Sequence, residues 1–128
     1  RRRSASRQIG AAGALVTRTA RFQDARWPKV DLVNASFSLP ICPRDMFPAL
    51  WAAIRGSLRP GGRFSGQFYG ERDDFARDPH LPCHTAGETA AMLEGMEVEM
   101  LDEEEDDGVT PRGRAKHWHI RHVVARRP

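Results

Sequence analysis

The chain has 128 residues, 40% hydrophobic and 29% charged, with a formal net charge of +3. This is the composition of one ordinary globular domain, and it excludes a disordered polymer. No apolar run reaches the roughly 20 residues needed to cross a bilayer, "AAGALV" is too short and weak for a signal-peptide core, and two cysteines make no disulfide framework, so a cytoplasmic protein is expected.

Residues 1–13, opening with "RRRSASRQIG", have no clear period and read as an irregular or frayed segment. "ALVTRTARF", 14–22, reads as a short strand with Val16 and Phe22 as its β-formers. "QDARWPK" is a loop broken by Pro28. "VDLVNASF" is apolar at Val30, Leu32, Val33 and Ala35, which suits a strand covered on both faces. A helix follows from Asp45 to Leu58. Phe47, Leu50, Trp51, Ile54 and Leu58 recur at helical spacing, Asp45 is a plausible N-cap, Pro48 is tolerable in the first turn, and "RPGG" stops the helix.

"RFSGQFY" alternates Phe64, Gly66 and Phe68 against Ser65, Gln67 and Tyr69 and reads as the next strand. Gly70 to His84 is loop. Thr85 opens a second helix, with Glu88 completing a capping box and Gly95 closing it. "MEVEML" and "AKHWHIRHVVA" are two antiparallel strands around an exposed acidic turn, "DEEEDDGVTPRG".

The basic ends offer a nucleic-acid reading, but no basic stripe interleaved with aromatics supports it, and solvated ends and loop tips are the commoner meaning of such runs. On a strand His117 and His119 share a face and His122 points the other way. With Cys83 the first two could form a zinc site, yet their spacing matches no strong zinc signature, and no metal is expected. Nothing pairs Cys42 or Cys83 with a base. The acidic block lacks the spacing of a calcium loop.

Strand, strand, helix, strand, helix, strand, strand is the pattern of an α/β sheet, mainly parallel, with a C-terminal antiparallel hairpin. That order resembles the C-terminal half of a class I S-adenosylmethionine-dependent methyltransferase. "VDLVNASFSLP" is similar to the family's fourth strand and following loop, "LRPGGRF" to the turn into its fifth strand, and the closing hairpin to its sixth and seventh strands. Within the superfamily the chain looks closest to the tellurite-resistance-like, small-molecule branch. The resemblance covers residues 14–128. It implies a partial Rossmann-like methyltransferase sheet in which these residues are the C-terminal half of the domain.

The family's acidic, G-x-G-x-G loop and its ribose-gripping acidic residue have no counterpart here. "IGAAGAL" follows no strand and precedes no convincing helix. In the family's sheet order the first strand lies beside the fourth, so "VDLVNASF" is expected to present an open apolar edge prone to self-association. Either residues 16–22 move in to pair with it or another chain fills the gap.

Ligands of open α/β sheets lie outside the carboxyl ends of the strands. By resemblance Asn34, Ala35 and Ser36 line the methionine and sulfonium region of S-adenosylmethionine, although a strand end with a turn-forming Asn reads equally simply. Asp24 and Ala25 resemble the family's contact to adenine, with Arg26 and Trp27 over the ring, while a solvent loop with a turn-favouring Asp remains open. Phe37, Gln67 and Tyr69 reach the same edge and are the candidates for holding a small-molecule methyl acceptor, although Tyr69, at a strand end, reads equally as a core-edge aromatic. No catalytic acid or base can be singled out, since methyl transfer needs mainly alignment and exclusion of water. The competing reading is a non-catalytic methyltransferase half that serves as a binding or assembly module.

Overall fold

The structure is a computed structural model and describes residues 15–128. The irregular segment expected over 1–13 and the glycines Gly10 and Gly13 lie outside the described residues. The five strands are β1 (Val30–Ala35), β2 (Leu58–Gly70), β3 (Cys83–His84), β4 (Glu97–Val109) and β5 (Ala115–Arg126), and the two α-helices are α1 (Phe47–Ser57) and α2 (Ala86–Met92). The sheet runs β1-β2-β5-β4, with β3 also paired to β2. β1 and β3 are parallel to β2, while β5 is antiparallel to both β2 and β4. This is the α/β arrangement expected, a parallel core extended by an antiparallel C-terminal hairpin.

One face of the sheet is covered. The α1 side chains of Phe47, Leu50, Trp51 and Ile54 meet Phe64 and Phe68 of β2 and Val123 and Ala125 of β5. Trp51 stands edge-on to Phe64 and Phe68, at centroid distances of 4.9 and 5.4 Å. Its indole N–H and the Arg55 guanidinium both donate to the Met92 carbonyl, at 3.0 and 2.9 Å. Two side chains of α1 thereby satisfy a carbonyl that the end of α2 leaves free. The α2 N-terminus carries the expected capping box: Thr85 Oγ1 accepts from the Glu88 amide at 3.1 Å and Glu88 Oε1 accepts from the Thr85 amide at 2.8 Å.

Several elements differ from expectation, each for a local reason. The strand expected over 14–22 is not formed among the described residues. Val16 is 77% exposed, and the only regular feature there is a 3₁₀ turn at Phe22–Asp24. The helix begins at Phe47 rather than Asp45, with Met46 at the N-cap, Pro48 in the first turn and no side-chain cap. "RPGG" belongs to β2 instead of a turn. The amide of Gly61 donates to the Arg127 carbonyl and the Arg127 amide to that of Gly62, so the chain end holds this stretch extended. Gly61 adopts φ 83°, which a side chain would resist.

The loop expected up to His84 ends in β3, paired at Tyr69↔Cys83 and Gly70↔His84. The acidic block is not a turn tip. It lies within β4, in register with the basic strand: Glu103 faces Arg121, Glu105 faces His119 and Asp107 faces His117. Cross-strand pairs of opposite charge stabilise a ladder that each strand alone would oppose.

Candidate functional site at the carboxyl edge of the parallel strands

β1 stops earlier along the sheet than β2. Ala35 pairs with Gly66, while β3 takes up the same side of β2 only from Tyr69. Between them lies a break in pairing at Gln67 and Phe68, and the loop after β1 turns out of the sheet there. Phe37 holds φ at 49°, in the left-handed region. A bulky residue is uncommon there and costs on the order of 1–2 kcal/mol. The turn is pinned by Gln67, whose Oε1 accepts from the Phe37 amide at 2.7 Å. Such local strain, held by its surroundings, concentrates at functional edges.

Small residues are a requirement of this corner. A Cβ on Gly66 would lie 2.6 Å from the Phe64 ring and 3.1 Å from the Ala35 carbonyl. Asn34, Ser36 and Phe37 are exposed and Ala35 is buried. The predicted residues Asn34, Ala35, Ser36, Phe37 and Gln67 therefore gather at one edge.

Tyr69 is placed differently. It is buried, its ring packed against Phe75 at 5.4 Å and Trp118 at 6.0 Å, with the Lys116 ammonium 4.7 Å from its centroid. Burial, followed by the charge of Asp73, pushes its phenol up to about 12, so it remains a neutral wall residue rather than a base facing solvent. Behind it Lys116, buried, bonds Asp73 Oδ1 at 2.6 Å, and Asp73 also accepts the amides of Phe75 and His119, both at 2.9 Å. That cluster fixes the start of the segment joining β2 to β3.

Asp24, Ala25 and Arg26 do not join the carboxyl edge. Ala25, Arg26, Trp27 and Lys29 line a groove of about 500 Å³ against Ala53, Gly56 and Ser57, at the C-terminal end of α1. Lys29 Nζ donates to the Gly56 carbonyl at 2.5 Å. Val30 and Leu58, which follow these two segments, are partners at the amino ends of β1 and β2. The first four residues of β1, Val30 to Val33, on the order of 13 Å, separate the segment that carries this trio from Asn34–Ser36. Without a strand over 15–22, the segment lies along the helix end instead of the sheet edge. Of the residues expected to hold S-adenosylmethionine, the carboxyl edge thus gathers only Asn34, Ala35 and Ser36.

His122 is a neighbour of the edge that the sequence reading left unassigned. It faces Gln67 across the ladder, its ring lies edge-on to Phe37 at 6.2 Å, and its Nε2 is 2.8 Å from Glu104 Oε1. The alternation that set it opposite His117 and His119 was the available signal. Those two face other partners. His117 lies between Asp107 and Glu105, at 2.7 and 2.8 Å, and His119 accepts the Arg72 amide at Nδ1 with Nε2 2.5 Å from Glu103. Glu103, Glu105 and His119 form the one cluster of metal-ligand types among the described residues, and the Arg72 guanidinium already bridges both carboxylates. Burial pushes the Cys83 thiol up to about 11, which leaves it inert as a nucleophile.

The chain has the fold of class I S-adenosylmethionine-dependent methyltransferases. Among similar solved structures, TehB from Haemophilus influenzae superposes with a TM-score of 0.74 at 11% identity, over 95% of this chain and 47% of that one. An S-adenosylmethionine-dependent methyltransferase from Mesorhizobium loti gives 0.56 at 17% identity, over 94% and 76%. The methyltransferase SibL gives 0.59 at 20%, over 98% and 39%. The chain thus spans about half the length of TehB. No protein-family model and no curated sequence matches it significantly. Among the described residues no helix is long and apolar enough to cross a membrane.

Proposed function

We propose that this chain supplies the acceptor-facing half of an S-adenosylmethionine-dependent methyltransferase acting on a small molecule, in the cytoplasm. The observation that carries the reading is the break in strand pairing at Gln67, where Phe37 is held left-handed at the carboxyl edge. S-adenosylmethionine supplies a methyl group on a positively charged sulfur. Asn34 and Ser36 would hold its methionine end by hydrogen bonds, and Ala35 lets the donor approach the backbone closely. Phe37 and Gln67 would orient the acceptor and keep water from the line of transfer. The segment 14–128 then acts as one unit, with the rest of the donor held by residues outside this edge.

The test is a nuclear magnetic resonance titration of the folded chain with S-adenosylhomocysteine. Saturable shifts confined to Asn34–Phe37 and Gln67 are expected. A folded chain whose edge amides stay unmoved at millimolar ligand overturns the reading. A second reading, a non-catalytic half that associates through its open edge, is favoured by Leu32, 60% exposed on β1.

A further inference from the structure

Beside the carboxyl edge lies a cleft of about 380 Å³ that neither the cofactor nor the fold accounts for. Its floor is aromatic and aliphatic: Phe37 from the turn, Trp118 and Ile120 from β5. Its wall is acidic, with Glu104 and Asp106 from β4; Asp107 also borders it, but its carboxylate turns to His117 on the other face of the sheet. Sheet alternation explains the mixture. Trp118 and Ile120 project on the face opposite the α1 layer, in register with Asp106 and Glu104. Gly108 keeps the cleft open, since a Cβ there would stand 3.2 Å from Trp118 Nε1. The strained Phe37 is shared between this cleft and the donor edge, so a molecule in the cleft reaches the point of transfer.

The charge in the cleft is unbalanced. Glu104 is engaged by His122 at 2.8 Å and Asp107 by His117 at 2.7 Å, but among the described residues Asp106 is paired with no cation. An apolar floor under a negative wall favours a ligand with an apolar or aromatic body and a positive charge, because a cation gains from the carboxylates and from the Phe37 ring, the Trp118 ring already carrying the Lys116 ammonium 3.5 Å from its centroid. An anionic ligand of the same shape meets repulsion. From this geometry we infer that the methyl acceptor is a small cationic compound, an aromatic or alkyl amine, seated between Phe37 and Trp118 with its ammonium toward Glu104 and Asp106 and a separate neutral nucleophilic atom toward the donor edge. The lone pair of that atom forms the bond to the methyl carbon as the carbon–sulfur bond breaks, S-adenosylhomocysteine leaves as the neutral thioether, and any proton the nucleophile carries passes to water. The inference rests on the methyl-transfer reading for the identity of the ligand as acceptor, and on the cleft alone for its charge.

The experiment titrates the 15N-labelled chain, at neutral pH and low salt, with benzylamine and separately with phenylacetate, following the indole N–H of Trp118 and the amide of Phe37. Benzylamine is expected to shift both signals saturably and phenylacetate neither. Asp106→Asn, at an exposed position, should weaken benzylamine about three- to fivefold, the scale of one partly exposed ionic contact. Equal responses to the two probes, or no saturable response to benzylamine, overturn the inference. The S-adenosylhomocysteine titration separates the two readings. Donor binding without benzylamine binding removes the cationic acceptor and leaves methyl transfer standing. Benzylamine binding without donor binding keeps the cation cleft and removes methyl transfer.

Discussion

Gly70 shows how tightly a single position can be set. A Cβ there would lie 2.2 Å from His119 Nδ1, and the ring is fully buried, held by the Arg72 amide on one side and Glu103 on the other. Gly70→Ala is therefore expected to lower stability by about 2–3 kcal/mol, the cost of overpacking a closed site. Urea unfolding measures it, and an unchanged midpoint would mean that the His119 ring can swing away. Single residues were unevenly legible from the sequence. Asn34 to Ser36 could be placed at a strand end because period and small size coincide there. The burial of Lys116 could not, because an alternating strand shows which face a residue takes and not what folds over that face. His122 fell between the two cases: its face was readable, its neighbour Phe37 was not.

At the scale of elements the hairpin is an ionic strap. Asp107, then Glu105, raise His117 above its ordinary value of 6.5, and Arg72, then His117, pull Glu105 down to about 2. A raised histidine contributes stability that is complete below its ordinary value and is lost as pH climbs through the folded one. A depressed carboxylate contributes stability that is complete above its ordinary value of 4.5 and is lost as pH falls toward about 2. The strap is thus strongest from about pH 4.5 to 6.5. His117→Gln should lower the melting temperature within that window and converge on the parent protein at alkaline pH. A difference independent of pH would sink the account. The two strands were legible as a hairpin, but the acidic run was read as its tip. Its role depends on the basic residues facing it about ten to twenty positions later, a pairing that composition within one window does not reveal.

The whole molecule has two dissimilar edges. β4 is exposed along its length and dense in carboxylates, so pairing it with a second copy would set like charges together. β1 carries one acidic residue, Asp31, which Arg59 engages at 3.3 Å, and an exposed Leu32. We propose that association between copies, if any forms at high concentration, uses β1. Sedimentation velocity of the chain and of Leu32→Lys tests this. The substitution should shift the distribution to monomer, and equal association in both would assign the contact elsewhere. The order of elements and the parallel-then-antiparallel sheet were legible because each helix face and strand period is local. The absence of a strand over the described residues 15–22 was not, since a strand exists only when it has a neighbour.

The uneven lengths of β1 and β2 also carry a consequence in time. β4 and β5 are joined by a short turn and can close early, whereas β1 reaches β2 only after the chain has wound through α1. Deuterium should therefore enter β1 first and the middle of β2 last, where Phe64–Gly66 have partners on both sides. The same chain would then be a firm three-stranded plate carrying a looser strand, and the corner that holds Phe37 would be the seam along which it breathes.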